Sequence, residues 1–181
     1  MVDAGDLFGS RNKNDQHQSA FLAEMTGEMG YDAIGLGERD LNYGLPFLKE
    51  MIEKHGLPFI NANVRATETG ELILPEYTIV ERSGIKYGIV SVLDPRHKII
   101  TMSAEEDTFQ VDDPIQTLRD LLPRLREKAD TILLLSHLGE QMTEELIIME
   151  VARNHDIQVS AREFETHLSS FLADYPKSVF E

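Results

Sequence analysis

Five side chains in this 181-residue chain combine chemical reactivity with placement at the ends of apolar runs. Asp6 stands beside Gly5 just past the short apolar stretch that follows Met1. Glu38 and Arg39 come directly after Gly35 and Gly37, where a buried-looking strand over 32–36 has just ended, and Asn42 follows closely. His137 terminates the run DTILLLS. Apolar strand, tight turn, then clustered polar groups is how α/β enzymes present chemistry at the carboxyl ends of their strands. A carboxylate in such a place can serve a metal or phosphate site. An arginine can hold a phosphate, and a histidine can be a metal ligand. Each has a plainer use: Asp6 as a turn residue, the more common role on turn chemistry alone; Glu38, Arg39 and Asp40 as solvated surface; His137 as a core or capping histidine. Asn61 and Asn63 either line a polar site or form turns. His55 reads as structural at a helix end, and His97 as an exposed loop residue.

The elements that would carry these residues follow from periodicity. Apolar residues at helical spacing predict a helix over 19–29, with Phe21, Leu22, Met25 and Met29 on its core face and Gly30 at its end. A second helix begins at Pro46, buries Phe47, Leu48, Met51 and Ile52, and is closed by Gly56. LPFINANV, 57–64, reads as one strand. The runs 73–82 and 85–93 flank Ser83-Gly84 as a hairpin, and 98–113 reads as irregular. A strongly amphipathic helix spans 114–128, with Pro123 expected to kink or split it. A fully buried strand covers 130–135; then come a helix over 143–154, a short strand near 156–159, and a terminal amphipathic helix opened by the capping-box pattern at Ser160 and Glu163. Strands alternating with helices, plus one hairpin, predict an α/β layered fold. The expected division is a domain over 1–159 and a terminal helix over 160–181 packed on it.

Bulk properties narrow the function classes. With 41% apolar and 27% charged residues the chain is globular in composition. Its net charge of −15 argues against a basic nucleic-acid surface, while a bound divalent cation would still permit a small phosphate substrate. The absence of cysteine excludes disulfides, zinc–thiolate sites and cysteine nucleophiles. No apolar run approaches a membrane span. No leader pattern follows Met1, and the first strand has almost no run-up, as expected of the interior of a longer protein.

Four stretches together carry a resemblance: VDAGDLF, YDAIGLGERDLNYG, PFINANV with the following hairpin, and ADTILLLSHLG. In type and order they resemble the 5′-nucleotidase branch of the calcineurin-like metallophosphoesterases, over roughly residues 2–157. The resemblance implies a layered metallophosphoesterase-like sandwich, a mixed sheet flanked by helices, incomplete at its N-terminus. It implies two divalent ions (Mn, Zn or Fe) at strand ends, with Asp6 as the bridging carboxylate and His137 as a ligand of the second metal. It implies a small phosphorylated substrate such as a nucleotide, and relatives that are mostly periplasmic or extracellular.

The departures are as informative. The family pattern Gly-Asn-His-Glu-x-Asp-Tyr-Gly stands here as Gly37-Glu38-Arg39-Asp40-Leu41-Asn42-Tyr43-Gly44. Glu38 takes the place of a metal-binding Asn and can still ligate. Arg39 and Asn42 stand where the family has its catalytic His–Asp dyad. Arginine stays protonated, so it can hold a phosphate but cannot donate a proton to a leaving group. The opening Asp-x-His would precede Met1, and the later Gly-His-[Ser/Thr]-His reads DIQVSAREFETH. The resemblance with these departures implies a nucleotidase-like metallophosphatase domain of weak or no activity. The alternative is a non-catalytic binding or scaffold domain using the Glu38-Arg39-Asp40 loop.

Overall fold

The computed structural model describes residues 1–9, 13–102, 109–139, 142–143 and 157–160. Its frame is a sandwich of two sheets between helices. The first sheet is wholly parallel and short-stranded, in the order β1 (Val2–Asp3), β2 (Ala33–Gly35), β3 (Phe59–Ile60). The second is mixed: β5 (Tyr77–Arg82) runs antiparallel to β6 (Ile85–Leu93), which is parallel to β8 (Thr131–His137), which is parallel to β9 (Ile157–Ser160). A separate ribbon pairs β4 (Val64–Ala66) with β7 (Phe109–Val111).

Strand alternation sorts side chains into three apolar layers. Between the sheets lie Ala33, Ile60, Ile89 and Leu135. Ile34 and Phe59 point the other way, onto α1 (Lys13–Met29) and α2 (Leu45–His55). Val90, Val92, Ile132 and Leu134 pack instead on α3 (Pro114–Arg126). Residues 133, 135 and 137 therefore share the face of β8 that looks toward the first sheet, which sets the direction of His137.

The hairpin forms where expected, its turn made by Ser83 and Gly84 at φ 52° and 80°, the left-handed pair that suits a twisted two-residue connection. Gly56 ends α2 in the left-handed conformation. Other expectations need correction. Helix α1 starts at Lys13 and buries Ser19, Ala23 and Thr26, while Phe21 and Met29 are 59% and 57% exposed. Small residues face α2 because the two helices approach closely, Gly27 lying against the His55 carbonyl. The single strand over 57–64 is two strands, because the Asn61 side chain accepts from the Asn63 and Val64 amides and turns the chain. Asn63 donates to the Leu93 and Asp112 carbonyls and accepts from the Leu93 amide. Both asparagines brace the turn, while Asn61 Nδ2 is buried without a partner among the described residues. Helix α3 runs through Pro123, which lies on the exposed side while Leu118, Leu121, Leu122 and Leu125 hold the other face. The stretch 98–113 contains β7. Most of the expected helix over 143–154, and the terminal helix beyond 160, lie outside the described residues.

Candidate metal centre

Four chain segments meet where parallel strands of both sheets end. β1 leads into Gly5–Asp6, β2 into Glu38, β6 into His97, and β8 ends on His137. The turns after β1 and β2 touch. A Cβ on Gly37 would lie 2.5 Å from the Asp6 nitrogen, and one on Gly5 would lie 2.5 Å from the Gly37 nitrogen. Only glycines permit this approach, and Asp6 itself adopts a left-handed φ of 61°, a strained state for a side-chain-bearing residue.

Asp40 ties the two turns together. Its carboxylate accepts from the amides of Asp6 (3.0 Å), Phe8 (3.0 Å) and Gly37 (2.8 Å). Burial pushes its pKa up to about 7, against the pull of those donors. Against the plainer alternative of a solvated surface loop, the third charged member of the Glu38-Arg39-Asp40 loop lies wholly inside. The single 3-10 turn over Glu38–Leu41 turns Asp40 inward and leaves Arg39 63% exposed.

The outward groups form the cleft. His137 Nε2 lies 3.0 Å from Glu38 Oε2 and 3.7 Å from Asp6 Oδ1. Its Nδ1 is 3.2 Å from the Ala4 carbonyl; a carbonyl only accepts, so Nδ1 carries a hydrogen. Glu38 is drawn down to about 2, first by the His137 hydrogen bond, which outweighs the opposing effect of burial. For His137, burial disfavours the imidazolium, but the Glu38 hydrogen bond and the charges of Asp6 and Glu38 prevail and raise the pKa. Arg39 donates its amide to Asp6 Oδ1 at 2.9 Å and sets its Nε 3.4 Å from Oδ2. Asn42 donates to the Gly9 carbonyl at 3.0 Å, tying the loop after β1.

The three residues singled out for metal therefore come together at His137, which contacts both Glu38 and Asp6, and Arg39 borders Asp6; the group whose ligand atoms all lie close together, however, leaves out Asp6. The sequence reading missed His97. Its Nδ1 is 3.4 Å from Glu38 Oε2, and one ligand atom from each of Glu38, His97 and His137 lies within 4.8 Å of the others. The available signal was its place four residues beyond the buried strand β6.

Known proteins resemble this chain in sequence and in fold. The chain is 32% identical over 119 residues to the trifunctional nucleotide phosphoesterase protein YfkN of Bacillus subtilis, covering 60% of this chain and 8% of that protein. It is 27% identical over 157 residues to the 2′,3′-cyclic-nucleotide 2′-phosphodiesterase/3′-nucleotidase of Salmonella typhimurium, covering 77% and 24%. The crystal structure of a 5′-nucleotidase precursor from Thermus thermophilus superposes with a TM-score of 0.68 at 25% identity, over 88% of this chain and 31% of that one. The chain is similar in sequence and fold to 5′-nucleotidases and calcineurin-like phosphoesterases. No protein-family profile matches it, and it spans a quarter or less of those two curated relatives. Helices on either side of stacked sheets are thus the metallophosphoesterase layering that the resemblance implied.

Proposed function

We propose that this domain binds a divalent cation on Glu38 and His137, with Asp6 beside them, and hydrolyses small nucleotide-like phosphoesters slowly. The observation that supports it most is the Glu38–His137 pair. With Nδ1 committed to Ala4, the Nε2 lone pair and a carboxylate oxygen face each other at 3.0 Å. Two acceptors at that distance require a proton or a cation between them. A carboxylate–imidazole set suits manganese, zinc or iron, so these residues fit the ion that the fold implies. When bound, such an ion polarises a phosphoryl oxygen and lowers the pKa of a bound water.

The chain's own residues account for the rest. Arg39 offers its guanidinium to phosphoryl oxygens from an exposed position while its Nε stays near Asp6. It holds charge but supplies no proton, so the leaving oxygen departs unprotonated by the protein. General acid catalysis contributes roughly 10²–10⁴-fold, and that is the deficit expected with alkyl leaving groups. The Mn- or Zn-loaded protein should hydrolyse aryl phosphates, whose phenolate leaves readily, with a much higher kcat/KM than nucleoside monophosphates. The double variant Arg39→His, Asn42→Asp should narrow that gap by raising the nucleotide rate. Equal rates on both substrates in the parent protein would contradict the missing-acid account. Failure to retain metal, with no hydrolysis of either, would remove the reading altogether.

A further inference from the structure

We propose that His97 is a ligand of the same cation, making the centre a two-histidine, one-carboxylate site. The proposal rests on the metal-site reading above, but it concerns a residue outside the positions that the family resemblance assigns. His97 Nδ1 is shielded from solvent and makes no hydrogen bond among the described residues, although it faces Glu38 Oε2 at 3.4 Å. Its ring stands edge-on to that of His137, centroids 5.9 Å apart. Ligand atoms each about 2.0–2.2 Å from one ion lie roughly 3–4.4 Å from each other. The separations of Glu38 Oε2 from His137 Nε2, 3.0 Å, and from His97 Nδ1, 3.4 Å, correspond to adjacent ligands of that kind.

The turn that delivers His97 is fixed from beneath. In the register of the parallel pair β6–β8, Leu93 lies opposite His137, and the Asp94 amide donates to the His137 carbonyl at 3.0 Å. Asp94 is buried, and its carboxylate accepts from the Arg96 amide at 2.8 Å and from the Arg96 guanidinium at 2.8 and 3.0 Å. The His97 amide then closes on the Asp94 carbonyl at 3.1 Å. The two imidazoles are thus held relative to each other by main-chain bonds between their own segments.

The test counts imidazoles on the metal. Untagged protein is loaded with Zn²⁺ for X-ray absorption and with Cu²⁺ for electron spin-echo measurements, and affinities are measured by titration calorimetry. The parent protein should show two imidazole nitrogens. His97→Asn should show one, and its affinity should fall by more than the roughly 10–100-fold that an outer-shell partner contributes. One imidazole in the parent protein, or an unchanged affinity in His97→Asn while His137→Asn loses binding, overturns the role of His97 and leaves the metal site standing. No metal uptake by the parent protein overturns both. The imidazole count of the parent protein decides the matter even if a variant fails to fold.

Discussion

Two acceptor atoms 3.0 Å apart, as in Glu38 and His137, need something positive between them, and in metal-free protein that something is a proton. Glu38, drawn down to about 2, contributes stability that is present above the ordinary glutamate pKa and is lost as pH falls toward 2. His137, raised above the usual histidine value, contributes stability that is present below about 6.5 and is lost as pH rises through its folded pKa. The pair is therefore at full strength between roughly pH 4.5 and 6.5. With metal stripped, the Tm difference between the parent protein and His137→Asn should be largest in that window and shrink on both sides. A difference that keeps growing above pH 8 would show that His137 stabilises the fold by packing, not by charge. At this scale Asp6, Glu38 and His137 were legible because each ends an apolar run beside glycine or serine. His97 was not, because Asp94-Pro95-Arg96 reads as a loop, and nothing in one dimension reveals that β6 and β8 are neighbours.

Among the elements, the 3-10 turn over Glu38–Leu41 does the most joining. Asp40 accepts three amides from the turns after β1 and β2. Removing an acceptor from a buried N–H costs about 1–3 kcal/mol each, and Asp40→Ala removes all of them at once. Chemical denaturation should show a loss on the order of 3 kcal/mol, with the midpoint falling and the slope unchanged. Asp40→Asn, which keeps one acceptor oxygen, should lose less. A loss below about 0.5 kcal/mol for Asp40→Ala would mean that water replaces the carboxylate and that the turns hold each other without it. Helices were legible where one apolar face dominates, as in α3. In α1 the largest apolar residues suggested the buried face, yet close packing against α2 selected Ser19, Ala23 and Thr26. The buried strand β8 is apolar on both faces, so its sequence could not say which way His137 points; the stacking of the sheets decides that.

Across the whole molecule, the centre draws Asp6 and Glu38 from one sheet and His97 and His137 from the other. A cation bound there, as proposed, would clip the two sheets together and bind only the folded chain. At a concentration of 100 times its Kd it should add about 2.7 kcal/mol, which for a chain of this size raises Tm by roughly 5–10 °C. Thermal scans with increasing Mn²⁺ or Zn²⁺ should show that rise, and chelation with EDTA should reverse it. Ca²⁺, which prefers oxygen ligands, should have little effect. An unchanged Tm at saturating Mn²⁺ and Zn²⁺ would mean that the cleft holds no ion. The α/β class and its strand–helix alternation were legible in the sequence. Its division into two stacked sheets came only with the resemblance and not from periodicity, because β1, β2 and β3 are only two or three residues long and their pairing is wholly long-range.

The hydrogen bond from His137 Nδ1 to the Ala4 carbonyl bears on inheritance as well as geometry. Its acceptor is a main-chain atom, which no substitution of the Ala4 side chain deletes. A lineage can exchange residues at positions 38, 39 and 42, altering what the cleft attracts, while the proton on the far nitrogen of His137 stays put. The part of the centre least exposed to mutational drift is thus its choice of tautomer, and new chemistry at the neighbouring positions can be tried against a fixed lone pair.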